Sequence, residues 1–280
     1  MSFRGFLVFL AVLGTQFKAV AQRSEVGLMA GVSFYMGDLN PDMPFAMSRP
    51  GGGGFFRYNF NDRFSAKATG LIGYVMADDA ISSVPSQQER NLSFRSWLFE
   101  FAVTGEFNFF KYQPGNLYNR WTPYIFGGLA LFKFNPQADL NGTLYELQPL
   151  GTEGQGTTFY PDRKKYSLVS GSIPFGIGGK FNVTERFSVG LEWGMRWTFT
   201  DYLDDVSGTY ANPEVLDAEN GVYQGSMSVA RELADRSTTP DILNTDRQRG
   251  NSTTNDWYSF LLVTVSYNIK ARPPKCPAYQ

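Results

Sequence analysis

The most informative feature of this 280-residue sequence is what it lacks: it has no histidine and only one cysteine, Cys276. Without histidine, there can be neither a Ser/His/Asp or Cys/His catalytic arrangement nor an imidazole ligand for a metal ion. One cysteine excludes an intramolecular disulfide and a zinc site built from cysteines. We therefore expect a protein that is not an enzyme, with no catalytic residues, no cofactor, no bound metal and no small-molecule substrate.

Charge and long apolar runs are also scarce. Only 18% of the residues are charged and the net charge is -1, so the chain offers no basic surface to nucleic acid. No stretch beyond the N-terminal region approaches the ~20 apolar residues of a transmembrane helix. Aromatic residues, by contrast, make up 16% of the chain and glycine contributes 29 residues, a composition that favours strands over helices.

The N-terminal region has the features of a Sec signal peptide. Arg4 precedes a short apolar run at 5–14, and the segment 19–21 is a cleavage site of the A-x-A type. The apolar run is too short to span ~30 Å of hydrocarbon as a helix. We expect an exported protein from which residues 1–21 are removed, and which is either soluble or a β-barrel.

Eight segments of the remaining chain alternate apolar and polar residues with the period of a half-buried strand. They are predicted at about 24–36, 51–60, 64–77, 94–110, 122–134, 167–181, 186–199 and 257–269. These strands are longer than the usual 5–6 residues of globular proteins and reach the ~9–11 residues that a tilted membrane-spanning strand needs. Strand length therefore favours a membrane barrel over a β-sandwich.

The lengths of the connections support the same fold. Long connections at about 37–50, 78–93, 135–166 and 200–256 alternate with short ones at about 61–63, 111–121 and 182–186. Outer-membrane barrels have long extracellular loops and short periplasmic turns, and in lipid only a closed barrel pairs all of its strand backbone. We predict an all-β fold: an eight-stranded antiparallel transmembrane β-barrel over 22–269, in the bacterial outer membrane, with both termini and a tail at 270–280 in the periplasm.

The charged residues within the strands are predicted to point into the barrel lumen. This set comprises Arg57, Lys67, Lys133, Lys180, Arg196, Glu25, Glu100, Glu106 and Glu192. On the strand that contains Lys133, this phase places Tyr124, Phe126 and Phe132 on the lipid face. Because eight strands leave an interior that side chains fill, and unpaired charges there would be costly, we expect a salt-bridged plug rather than an ion-selective lumen.

The two ends of the barrel are predicted to differ. Aromatic residues at the strand ends form two interfacial girdles, and the turns and tail on the periplasmic side are basic. The segment 200–256 is acidic, with eleven carboxylates and four arginines, and we expect it to solvate the outer surface. Its cluster of Asp201, Asp204 and Asp205 could bind Ca²⁺, but the spacing does not match an EF-hand, so a solvated loop is favoured.

Four runs, taken in order, resemble a known family. They are YMGDL at 35–39, WTPYIFGGLALFKFNP at 121–136, IPFGIGGK at 173–180 and EWGMRWTFTDYLDDVSGTY at 192–210. Together they resemble the PorG-like outer-membrane β-barrels of the type IX secretion system. The resemblance implies association with a periplasmic ring of a PorK-type lipoprotein and a PorN-type subunit, and a role in protein secretion and gliding motility. Its motif positions in the loops are Asp38, Asp201, Tyr202, Asp204 and Asp205.

The resemblance and the basic periplasmic rim together suggest where the ring would bind. We expect the contact on the turn 111–121 and the tail 270–280. The candidate residues are Lys111, Tyr112, Arg120, Trp121, Arg272, Lys275, Cys276 and Tyr279. The alternative function is a structural or adhesive small barrel that acts through its extracellular loops, and deletion of residues 211–250 would distinguish the two.

Overall fold

The computed structural model describes residues 24–40, 43–221, 227–237 and 244–269. The predicted signal peptide at 1–21 and the tail at 270–280 lie outside the described residues. Within those residues, every helix is too short or too polar to cross a membrane.

Ten antiparallel strands form the described structure. They are β1 Ser24–Met36, β2 Arg49–Asn59, β3 Phe64–Asp78, β4 Ser93–Asn108, β5 Trp121–Lys133, β6 Gln137–Leu140, β7 Thr143–Glu146, β8 Val169–Asn182, β9 Phe187–Thr198 and β10 Trp257–Ile269. Eight of them, all but β6 and β7, follow the order β3-β2-β1-β10-β9-β8-β5-β4, and the pairing of β3 with β4 closes the ring. The predicted eight-stranded antiparallel barrel is therefore confirmed.

The side chains of each barrel strand alternate between the outer wall and the lumen. On the outer wall, Leu28, Phe101, Leu129, Ile177 and Val263 are each between 54% and 73% exposed. A wall of large exposed apolar side chains around a closed barrel is the surface of a protein that sits in lipid. The chain is thus a barrel of the outer-membrane type.

Strand β5 has the opposite phase to the predicted one. Tyr124, Phe126 and Phe132 are buried in the lumen, whereas Leu131 is 64% exposed and Lys133 also lies on the outer wall. The prediction was wrong because both faces of β5 are apolar. Its phase was inferred from a single lysine at the strand end, where a long side chain can extend toward water from the lipid face.

Glycines create room in the lumen for one large ring. Gly51 of β2 and Gly73 of β3 are partners in the strand register. A Cβ atom on Gly73 would lie only 2.7 Å from the ring of Phe260, and one on Gly51 would lie 3.0 Å from it. The Gly51–Gly54 run is therefore part of a strand, and its first glycine makes space for core packing.

Four loops at one end of the barrel fold together into a cap, and this end is called the cap end. The cap comprises the described residues of 37–48, 79–92, 134–168 and 199–256, and the opposite end, with connections 60–63, 109–120 and 183–186, is the turn end. Leu39, Phe134, Leu147, Leu203 and Leu233 are buried in one cluster with lumen residues at the barrel mouth. The cap is thus packed into the barrel and closes it.

The cap has secondary structure of its own, which the sequence analysis did not predict. It contains the helices α1 Pro85–Arg90, α2 Leu147–Leu150, α3 Pro213–Asn220 and α4 Val229–Ala234, and the hairpin β6–β7. Asn141 and Gly142 form the hairpin turn with φ of 54° and 82°, as a type I′ turn requires. An Asn-Gly pair between two strands is a strong hairpin signal, so this element could have been predicted.

Candidate functional site

Glu106 is the centre of the largest ion-pair network inside the barrel. Its carboxylate oxygens lie 2.9 Å from Arg57 Nε, 3.4 Å from Lys67 Nζ and 2.6 Å from Lys180 Nζ. Arg57 also pairs with Glu25 at 3.1 Å. Three strands supply the cations, so the network connects opposite sides of the barrel wall through the lumen.

A second set of ion pairs fills the rest of the lumen. Lys67 pairs with Glu192, and Arg196 Nε lies 3.0 Å from Glu100 Oε2. The same oxygen of Glu100 accepts a hydrogen bond of 2.7 Å from the Tyr258 hydroxyl. The structure therefore places eight of the nine predicted lumen charges inside the barrel and pairs each of the eight, whereas Lys133 lies on the outer wall.

The position of Lys133 on the outer wall lowers the number of cations in the lumen by one, relative to the prediction. With Lys133 on the outer wall, the buried set consists of four cations and four carboxylates, each at most 4% exposed. A balanced and fully paired set avoids the cost of an isolated buried charge. The lumen is a neutral plug, as expected from eight strands.

Aromatic rings of the lumen pack directly on these cations. Lys67 Nζ lies 4.9 Å from the centre of the Phe126 ring, and Lys180 Nζ lies 4.4 Å from that of Tyr124. The Tyr124 hydroxyl donates a 2.6 Å hydrogen bond to Glu192. Cation–π contacts of this kind are favourable where water is excluded, and they explain why β5 turns its aromatic face inward.

The loop residues that belong to the family resemblance lie close together at the mouth of the barrel. Asp204 and Asp205 are buried at 1% and 0% exposure, and Asp38, Asp201 and Tyr202 are partly buried beside them. The prediction of a solvated loop was wrong, since this segment packs into the cap core. Among the described residues no group of three or more carboxylate or cysteine side chains is placed to hold a metal ion.

Tyr35 joins the carboxyl group of Asp204 to that of Asp256, a further buried residue of the cap. Its hydroxyl lies 2.5 Å from Asp204 Oδ2 and 2.8 Å from Asp256 Oδ1. One hydroxyl proton can serve only one of these contacts, so the other contact needs a proton on a carboxyl group. Burial raises the pKa of both Asp204 and Asp256 well above the ordinary value, and their neighbours Asp38 and Asp201 add to the effect.

Arg249 holds a second part of the cap together. Its guanidinium lies 3.1 Å from Glu153 Oε1 and donates to the carbonyl oxygens of Asp205 and Ala234. Burial raises the pKa of Asp205 to about 6, although Arg249 opposes that shift. Asp201 lies at the edge of this region, and burial raises its pKa to about 7.

The polar groups on which the cap depends were not predicted from the sequence. Arg90 forms a two-pronged ion pair with Asp79, with distances of 2.7 and 2.8 Å, and Arg249 bridges Glu153 to the acidic loop. Glu153 and Arg249 lie in irregular loops, and Arg90 ends the short helix α1, so no strand periodicity marks their inward positions. Their burial could not be read from spacing.

The turn end carries the described part of the predicted partner surface. Lys111, Arg120 and Trp121 are exposed there, Trp121 at 57%. Tyr112, by contrast, is fully buried, and its hydroxyl donates a 2.7 Å hydrogen bond to Asn182. Tyr112 closes the lumen at the turn end, so the prediction that Tyr112 contacts a partner was wrong. Arg272, Lys275, Cys276 and Tyr279 lie outside the described residues.

An open groove runs across the same face. It has a volume of about 730 Å³ and is lined by residues 113–118 together with Arg120, Glu185, Asn268 and Ile269. Tyr118 projects from its rim and is 98% exposed. Ile269, the last described residue, lies in the lining of this groove.

Comparison with known proteins gives a family and several structures with a similar fold. A family model described as "Domain of unknown function (DUF6089)" matches residues 4–220. No curated protein matches the sequence significantly.

The similar structures share little sequence with the chain. Neisserial surface protein A is 12% identical, with coverage of 88% of this chain and 96% of that one and a TM-score of 0.39. The outer membrane protein OprG from Pseudomonas aeruginosa is 11% identical, with coverage of 89% and 98% and a TM-score of 0.38. The attachment invasion locus protein Ail of Yersinia pestis is 10% identical, with coverage of 88% and 98% and a TM-score of 0.39.

Proposed function

The chain belongs to the DUF6089 family, a domain of unknown function, and we propose that it is a non-enzymatic outer-membrane barrel of the type IX protein secretion machinery. In this proposal the turn end faces the periplasm and contacts the ring lipoprotein and ring subunit of the machinery. The role in secretion and gliding motility comes from the sequence resemblance at 35–39, 121–136, 173–180 and 192–210.

The observation that carries the proposal is the filled lumen. Four buried cations and four buried carboxylates pair across the interior, and the cap packs into the mouth. A barrel with such an interior offers no aqueous path, unlike the wide barrels of porins. This filled interior supports a protein that acts through its surfaces, as a component of a larger assembly does.

The turn end offers a surface of suitable chemistry for such an assembly. Tyr118 and Trp121 are exposed aromatic residues, and Arg63, Lys111 and Arg120 add positive charge around them. Buried aromatic anchors supply most of the affinity of protein interfaces. Exposed ion pairs are each worth only ~0.2–1 kcal/mol, so the basic side chains would steer an acidic partner more than hold it.

The test is recovery of the ring lipoprotein with variants of the full chain purified in detergent. Tyr118→Ala combined with Arg120→Glu should reduce recovery strongly, because it removes the anchor and reverses a steering charge. Leu144→Ala on the hairpin at the cap end, where Leu144 is 46% exposed, is the matched control and should leave recovery unchanged. Full recovery and normal secretion with the double variant, and with a chain truncated after Ile269, would contradict the proposal.

A second function, adhesion through the cap, is favoured by one feature of the structure. The cap has an open cavity of about 430 Å³ lined by polar residues that include Arg90, Tyr210 and Arg247. Deletion of residues 211–250 is too drastic a test, since it removes the buried Arg249. Arg247→Glu keeps the cap core, and loss of surface binding with intact secretion would favour adhesion.

A further inference from the structure

The 43–47 turn, part of the loop between β1 and β2, lies on the outer wall of the barrel rather than over its mouth. The ring of Phe45 lies 4.5 Å from that of Phe34 and 6.1 Å from that of Trp193. Phe34 and Trp193 both belong to the outward-facing sets of their strands, β1 and β9. The 43–47 turn therefore crosses β10, the strand between them, from the lipid side.

The strand register gives the depth of this contact. At the cap end, Met36, Trp257 and Trp197 are aligned across β1, β10 and β9 and form the level of the aromatic girdle. Phe34 and its partner Ser259 are the next outward-facing pair, two residues farther from the cap. Trp193 and its partner Leu261 are the outward-facing pair two residues beyond that. Phe45 therefore contacts the wall below the girdle, on the side of the hydrocarbon.

The wall beneath the turn is shielded. Phe34 is only 1% exposed, although the outward residues farther down its strand are open to lipid. Ser259, which also points outward, is 1% exposed; its hydroxyl donates to the Gly194 carbonyl and accepts a hydrogen bond from the Trp193 indole N–H. Burial of outward positions at this level follows from the turn that covers them.

Part of the backbone of the turn is hydrogen-bonded, both within the turn and to the side chain of Asn40. Ala46 donates to the Met43 carbonyl, Ser48 donates to the Phe45 carbonyl, and Asn40 bonds to both the amide and the carbonyl of Met43. The two left-handed residues, Phe45 with φ of 65° and Met47 with φ of 50°, permit these tight bends. Left-handed backbone in bulky residues is costly and persists where the surroundings require it.

We propose that the 43–47 turn inserts into the hydrocarbon of the leaflet at the cap end and binds lipid acyl chains. All five of its residues are uncharged and apolar, and Phe45 remains 46% exposed even after it packs on the wall. Irregular backbone enters lipid when its polar groups are satisfied, and in this turn the amides of Met43 and Ala46 and the carbonyls of Met43 and Phe45 have protein partners. The turn continues the apolar outer wall and attaches the cap to the membrane surface.

The test measures the environment of a nitroxide label in vesicles of phosphatidylcholine. Met47→Cys and Ala46→Cys are each made in the full chain with Cys276→Ser and labelled. Leu129→Cys, from the exposed apolar wall, is the lipid reference, and Tyr118→Cys, at a position that is 98% exposed at the turn end, is the water reference. Folding of each variant is checked by its shifted migration in unheated gels.

For the labels at positions 46 and 47, we measure the ratio of oxygen accessibility to nickel-chelate accessibility. We expect this ratio to match that of the label at position 129 and to be severalfold above that of the label at position 118. A ratio like that at 118, for both labelled positions, would overturn the proposal by placing the turn in water. Exclusion of both reagents would also overturn it, since the turn would then be covered by protein. Two positions are labelled because a single substitution could itself displace the turn and give a misleading ratio.

Discussion

At the scale of single residues, Tyr35 shows how the cap depends on a shared proton. Its hydroxyl lies within 2.8 Å of both Asp204 and Asp256, and Asp38, Arg90 and Asp201 are the other charged groups that act on this pair. In the folded state these carboxyl groups keep a proton at a pH where the unfolded chain has lost it. The native state binds more protons between the ordinary pKa and the raised one, so its stability falls as the pH rises through that range.

Tyr35→Phe should therefore destabilise the protein more at pH 8 than at pH 5. Loss of a buried hydrogen-bond donor costs about 1–3 kcal/mol, and at high pH it also leaves two buried carboxylates facing each other. The measurement is the thermal midpoint by near-ultraviolet circular dichroism in detergent, at both pH values. Tyr202→Phe, in the same cap but with a more exposed ring, is the control. An equal loss at pH 5 and pH 8 would contradict this prediction, because it would show that the carboxyl pair does not change its protonation between these two pH values.

At the scale of the strand, the sequence predicts where a strand begins and ends better than it predicts which of its side chains face the lumen. The bounds of β1 and β10 agree with the prediction to the residue, and β4 has the predicted phase because charges mark one of its faces. Strand β5 has apolar residues on both faces, so alternation could not tell the lumen from lipid. The phase depends on the lumen cations, which need aromatic partners, and those contacts are visible only in three dimensions.

Leu129→Arg tests the corrected phase of β5. Leu129 is 67% exposed at the middle of the outer wall, in register with Val103 of β4. A cation near the midplane of the bilayer costs ~2–4 kcal/mol, so the free energy of unfolding in vesicles should fall by about that amount. Lys133→Leu, at the strand end, should change it little. A small effect of Leu129→Arg in urea titrations would mean that this position faces the lumen after all.

At the scale of the whole molecule, the barrel and its cap form one closed body. The sequence predicts closure, from strand count and loop lengths, and it predicts a filled lumen, from the charges on the polar faces. It does not predict the cap, because the buried charges there, such as Arg249 and Asp205, lie in loops without periodicity. The candidate partner surface was predicted only in part, since Tyr112 turned out to be buried and Tyr118 to be exposed.

The protein should therefore form no ion channel in a planar bilayer at neutral pH. Glu106→Ala, which leaves Arg57, Lys67 and Lys180 without their common partner, should destabilise the barrel by about 3–5 kcal/mol, as loss of one member of a buried ion-pair network does. Conductance recordings and urea unfolding of the same preparations provide both readouts. Steady single-channel currents from the unaltered protein would disprove the closed lumen.

Strands β1 and β10, the first and last strands of the barrel, pair with each other and close the ring. The first and last strands pair over thirteen residues, so the ring closes only when the two ends of the chain come together. Side-chain hydrogen bonds stabilise both ends of this seam. Ser266 donates to Glu25 near the turn end, and Tyr35 bonds to Asp256 at the cap end. Such distant pairing makes assembly slow. Once these thirteen residue pairs have formed, the seam between β1 and β10 resists lateral opening toward the bilayer.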